Sequence, residues 1–180
     1  MWENRKRGDI GNDCLTSVNG VDCRILGRKR PNGKINKAWY SHKFKGPGLR
    51  YEVAACILTS DIVWINGPYM PGDWNDLSIF QDGLMHQLDQ GERVEADDGY
   101  KGECPRWIKC PGSVISIPAR ERMQKRTRLR HETFNERLKN FRCLDEKFCH
   151  SVAKHSSCFR AICVLTQFAI EPVDDIFDAR

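Results

Sequence analysis

The run Tyr51-Glu52-Val53-Ala54-Ala55-Cys56-Ile57-Leu58-Thr59 is followed by Ser60-Asp61 and then by Ile62-Val63-Trp64-Ile65-Asn66. Two stretches rich in β-branched and aromatic residues, joined by a short polar turn, read as a β-hairpin. Gly67-Pro68 ends it, because proline has no N–H to offer a ladder. Upstream, Cys14-Leu15-Thr16-Ser17-Val18 is a further β-rich run, stopped by the turn-forming dipeptide Asn19-Gly20. The intervening segment from Arg24 to Gly48 is rich in Lys, Arg, Gly and Pro and reads as a loop closed by Gly46-Pro47-Gly48. Three consecutive strands are therefore expected as antiparallel neighbours.

Beyond the hairpin the periodicity changes. Leu77, Phe80, Leu84 and Leu88 recur at helical spacing, with Asp76 placed to cap the helix. Glu92 to Asp97 reads as a short strand that ends at Asp98-Gly99. The glycine- and proline-bearing stretch Tyr100–Pro118 is irregular, with a short strand at Val114–Ile117. Long helices follow over Ala119–Asn140 and Val152–Ile170, the second stopped by Pro172. This order predicts an α/β fold: a mixed sheet with three antiparallel strands plus further strands, covered by helices. One domain over residues 14–171 is expected, between a polar lead-in (1–13) and an acidic tail (172–180), without repeats or a low-complexity linker.

Composition narrows the function classes. The chain has 180 residues, 40% hydrophobic and 29% charged, as in ordinary globular domains. No run of about eighteen apolar residues is present to span a bilayer. Met1 to Arg7 lacks the apolar stretch of a secretory signal, so the chain is expected not to be secreted and its nine cysteines to be thiols. Cys104-x₅-Cys110 and Cys143-x₅-Cys149, with His150 and His155, lack the closer spacing of a zinc knuckle. The net charge is +5, but residues 1–50 and 119–160 are basic while 51–118 and 161–180 are acidic. That pattern suits a polyanionic partner and an acidic pocket, and equally suits solvated loops and helix faces.

The most informative helix carries Arg128, Glu132 and Lys139, at i, i+4 and i+11. At 3.6 residues per turn they fall within about 40° of one another. Phe134, Leu138 and Phe141 gather on the other side. A glutamate flanked by cations, away from the packing stripe, is placed to meet a metal and a phosphate; the same spacing also describes an exposed ion pair. Arg28-Lys29-Arg30, Lys34, Lys37, Lys43 and Lys45, interleaved with Trp39, Tyr40 and Phe44, suit a loop that grips DNA phosphates or a solvated basic loop.

Arg128-x₃-Glu132-x₆-Lys139 resembles the Arg, Glu and Lys signature of DDE transposases of the Harbinger and related bacterial insertion-sequence groups. Two more segments resemble that family in the same order. Glu95-Ala96-Asp97-Asp98-Gly99-Tyr100 matches its Ala-Asp-x-Gly-Tyr strand end, and Gly72-Asp73-Trp74-Asn75-Asp76 its Gly-x₂-His-Asp segment. The resemblance covers roughly residues 14–171. It implies an RNase H-like core that uses Mg²⁺ or Mn²⁺ to hydrolyse a phosphodiester and then transfer the freed strand. Asp97 and Glu132 would hold the metal, and Arg128, Lys139, Arg28, Lys29 and Arg30 would contact DNA.

The family's first aspartate stands in a Val-Asp-Gly-Thr segment, and here the match is Val18-Asn19-Gly20-Val21. A neutral amide removes a charge from between two ions held about 3.5–4 Å apart, so Asn19 is expected to weaken metal binding and cripple catalysis. Asp22 is the candidate substitute ligand if Gly20 bends the strand; in a straight strand the odd offset puts it on the opposite face. Two functions stay open: a metal-dependent DDE nuclease core, active or inactivated by Asn19, with Asn19 or Asp22 at its weakened first position, or a non-catalytic DNA-binding or protein-interaction relic. The expected partners are DNA with a second copy of the chain or a separate DNA-binding protein, since strand one begins too early for an upstream helix-turn-helix. The expected location is nuclear in a eukaryote and otherwise cytoplasmic.

Overall fold

The computed structural model describes residues 1–6, 14–27, 33 and 36–170. Its centre is strand β1 (Cys14–Arg24), which runs straight through Asn19-Gly20 where a turn is expected. The reason is the partner strand β3 (Gly46–Cys56), whose antiparallel ladder holds β1 without a break from Thr16 opposite Cys56 to Arg24 opposite Gly48. A continuous ladder satisfies the backbone N–H and C=O groups that a turn would release, and it overrides the local preference of the dipeptide.

β2 (Tyr40–Ser41) and β4 (Ile62–Tyr69) also pair antiparallel with β3, so the expected hairpin is present and extends past Gly67-Pro68. β5 (Arg93–Glu95) lies parallel to β1, and β6 (Ile108–Lys109) lies parallel to β5. The order is β2-β3-β1-β5-β6, with β4 beside β3, which gives the mixed α/β sheet that the sequence predicts. β6 takes the place of the strand expected at Val114–Ile117; Ile117 instead opens α2 (Ile117–Lys139).

α1 (Asp76–Asp82) is capped by Asn75, whose side chain accepts from the Ser78 N–H at 2.8 Å, so the expected Asp76 cap is displaced by one residue. Gly83 ends α1, and a 3₁₀ turn carries Leu84. α3 (Arg142–Asp145) is a single turn, and α4 (Val152–Ile170) has the expected bounds.

Alternation along β1 divides the core between the two faces of the sheet. Val21 and Cys23 pack with Val53 against Phe134 and Leu138 of α2 and Phe159 and Ile162 of α4. Val18 and Ala54 pack against Phe80 of α1 and against Leu84, Val94 and Tyr100. The lead-in begins with a 3₁₀ turn, Trp2–Lys6, that docks on the sheet. Arg5 is buried, with Nε 2.8 Å from Glu92 and Nη2 3.0 Å from Asp89. Residues 7–13 of the lead-in and the acidic tail lie outside the described residues. Among the described residues no helix is long and apolar enough to cross a membrane.

Candidate functional site

The parallel pairing of β1 and β5 sets Ser17 opposite Glu95. Two residues further along each chain stand Asn19, still within β1, and Asp97, where the chain leaves β5. Asp97 caps the following 3₁₀ turn, its Oδ1 accepting from the Gly99 N–H at 2.8 Å.

Over this strand end lies α2, fixed from below by the buried Glu95. Its carboxylate accepts from Arg130 at 2.6 Å and from Arg126 at 3.2 Å. One residue past Arg130, His131 Nε2 lies 3.0 Å from Ser17 Oγ, which brings the next residue, Glu132, to the rim. Burial pushes the His131 imidazole down to about 4, so it is neutral near pH 7.

The result is a groove of about 450 Å³ lined by Asn19, Lys43, Asp97, Arg128, His131 and Glu132, among others. Four residues singled out from the sequence, Asn19, Asp97, Arg128 and Glu132, therefore meet. Lys139 is not on this groove; it lines an adjoining one that it shares with Glu132. Arg28, Lys29, Arg30 and Lys34 lie outside the described residues.

Asp22 corrects the expectation of a substitute ligand. Because Gly20 does not bend β1, the odd offset holds and Asp22 takes the α1 side of the sheet. Its carboxylate accepts from Arg50 Nε at 2.7 Å and Nη2 at 3.0 Å, and from the Ser41 hydroxyl. Burial opposes its ionisation, but the Arg50 hydrogen bonds, the Lys43 charge and the Ser41 hydroxyl outweigh that and hold the carboxyl below its ordinary range. With its oxygens so committed, Asp22 is not a ligand for the groove.

One groove residue, His131, escapes the sequence reading, and another, Lys43, is named there without being tied to this site. His131 carried only its position beside Glu132 as a signal. Lys43 stood among several basic residues of one segment, and only the fold brings its Nζ to the Gly20 carbonyl, at 2.7 Å.

A mixed sheet with polar residues side by side on neighbouring parallel strands, one within β1 and one just past the end of β5, and an acid on the helix above them, defines a nuclease core of the RNase H-like class. A family model described as DDE superfamily endonuclease matches residues 21–167, and the chain belongs to that superfamily. The matched span takes in Asp97 and Glu132 and begins after Asn19. No curated protein and no solved structure matches.

Endonucleases of this superfamily generally use divalent metals, but the residues present here do not fit a pair of them. Asn19 offers a neutral oxygen. Glu132 already faces Arg128 Nε at 2.8 Å, Asp98 Oδ1 accepts from the Gly112 N–H at 2.8 Å, and Lys43 and Arg128 set two cations among the three carboxylates of the groove, Asp97, Asp98 and Glu132. Among the described residues, no group of three His, Cys, Asp or Glu side chains is arranged to hold a metal ion. Hard divalent cations bind through carboxylates, and at the first position of this donor set an amide stands where the pair needs one.

Proposed function

We propose that this chain is a transposase-derived DDE core, of Harbinger-like descent, that holds DNA by its phosphate backbone and has lost cleavage and strand transfer through Asn19. The observation that carries the reading is the make-up of one groove. Asn19, Asp97 and Glu132 occupy the positions of the three acids, yet the first is an amide and Lys43 and Arg128 stand among them. Lys43 and Arg128 offset most of the charge of Asp97, Asp98 and Glu132 and supply donors to a phosphate, where a pair of divalent ions would meet two cations and an amide. Asp22, the nearest acid that could have compensated, is bound to Arg50.

The test uses supercoiled plasmid with Mn²⁺ and three proteins: the parent, Asn19→Asp, and Asn19→Asp with Glu132→Ala. The parent is expected to bind the plasmid without nicking it. Asn19→Asp, with its third acid restored, should nick, and the added Glu132→Ala should stop it. A parent that nicks, and ceases to do so as Glu132→Ala, would be an active nuclease and the reading would be wrong. Nicking that survives Glu132→Ala in the Asn19→Asp background would remove Glu132 from the site.

A further inference from the structure

Lys43 lies in the turn between β2 and β3 and is held at both ends. Its backbone N–H donates to Ser41 Oγ at 3.2 Å; the buried Ser41 hydroxyl donates to Asp22, and Arg50 clamps that carboxylate from the other side. Its tip donates to the Gly20 carbonyl at 2.7 Å, one residue along β1 from Asn19. The buried Asp22–Arg50 pair thus positions a lysine, and the lysine reaches the groove that Asn19, Asp97 and Glu132 share.

The surroundings of this ammonium are those of a bound cation. Its charge opposes burial at two carboxyls: at Asp22 it helps to hold the group below its ordinary range, and at Asp76, where burial still wins and the group is raised, it offsets part of that rise. An ammonium has three donors; Gly20 takes one, and two remain for oxygens of another molecule. A flexible lysine loses rotamer freedom when a ligand fixes it, but here much of that ordering is already imposed by the fold.

We infer that Lys43 is a built-in cation that holds a backbone phosphate in the groove, so that the domain binds DNA without a divalent metal. This deepens the proposed function and rests on it. In a site with three acids, metal ions would neutralise the phosphate. In this chain, where the donor set falls short of a metal pair, a tethered positive charge does so. Arg128, on the same groove, is the second contact.

The experiment follows fluorescence anisotropy of a labelled DNA duplex of arbitrary sequence over a salt series, in EDTA and in Mg²⁺ at matched ionic strength. The proteins are the parent, Lys43→Gln and Lys43→Arg, each checked by circular dichroism; Lys43 is exposed and both variants are expected to fold. The parent should bind equally well in the two buffers. Lys43→Gln should bind more weakly in EDTA, with the slope of log affinity against log salt smaller by about one, the signature of one lost phosphate contact. Lys43→Arg should keep the parent's slope, which a merely structural role for the lysine would not require. A Lys43→Gln protein with the parent's affinity and slope overturns this inference and leaves the DNA-binding reading standing. A parent that needs Mg²⁺ to bind also overturns it, and a parent that binds no DNA in either buffer overturns both.

Discussion

The carboxylate of Asp76 lies against the backbone of Gly20, in the space that a side chain at position 20 would occupy. A Cβ built there would overlap Asp76 Oδ1 and stand 2.9 Å from Asp76 Cγ. Glycine is needed at this position for a close approach across the α1 face of the sheet, and not for the turn that Asn19-Gly20 suggests. Gly20→Ala is expected to destabilise the domain by about 1–3 kcal/mol through overpacking. Asp76→Ala should relieve much of this. Urea unfolding of the two single variants and the double variant measures the coupling, and strictly additive effects would refute the contact.

Breaking the Asp22–Arg50 pair should cost more. The side chains are 1% and 10% exposed, and removing one partner leaves a buried charge uncompensated. Arg50→Ala is expected to lose about 3–5 kcal/mol. Because the folded state lowers the Asp22 pKa, its contribution is present above the unfolded value near 3.9 and is lost as pH falls below that value. An Arg50→Ala protein that unfolds at the parent's urea midpoint would show that the pair is unimportant.

Glu52 works in the opposite sense. Burial raises its carboxyl to about 8, against the hydrogen bond that Trp64 Nε1 donates to Oε2 at 3.0 Å. A raised folded pKa means a contribution fully present below the unfolded value near 4.3 and lost as pH rises through about 8. Glu52→Gln removes that ionisation. Its melting temperature relative to the parent should therefore climb between pH 5 and pH 8.5, and a pH-independent difference would contradict the assignment.

His131 and His155 should titrate unusually low. Burial pushes each imidazole down to about 4. At His155, Tyr51 OH and Nδ1 lie 2.8 Å apart, while the Tyr51 ring stacks on Phe159 with centroids 3.8 Å apart. A depressed folded pKa gives stability that is present above the unfolded value near 6.5 and declines as pH falls toward 4. Imidazole proton shifts followed by NMR should stay constant for both residues from pH 8 to about 5. A midpoint near 6.5 would mean that the rings are exposed.

Arg128 separates binding from stability. Its pair with Glu132 is exposed at 77% and 59%, so Arg128→Ala should change unfolding free energy by no more than about 0.5 kcal/mol. DNA binding should nevertheless weaken, with the salt slope reduced by about one. Unchanged affinity would take Arg128 out of the phosphate contacts.

Much of this architecture is legible in local pattern. The hairpin of Tyr51 to Asn66, the Phe134 and Leu138 stripe of α2 and the span of α4 depend on periodicities that the folded chain keeps. Arg128, Glu132 and Asp97 are recognisable by spacing and order, and the superfamily match spans all three. Other features belong to strand pairing. β1 continues through Asn19-Gly20 because β3 lies beside it, and two-residue β6 exists because β5 offers an edge.

The sequence by itself determined the sheet-and-helix order, the superfamily and the amide at position 19, since each is written in residues close together or in a fixed order. Tertiary structure alone decided what stands around that amide. It turned Asp22 away to Arg50, and through Ser41 it held Lys43 over Gly20. Spacing along a chain does not reveal which opposite charges will meet. Coulomb attraction and hydrogen bonding act on distances that only the closed sheet and its packed helix establish.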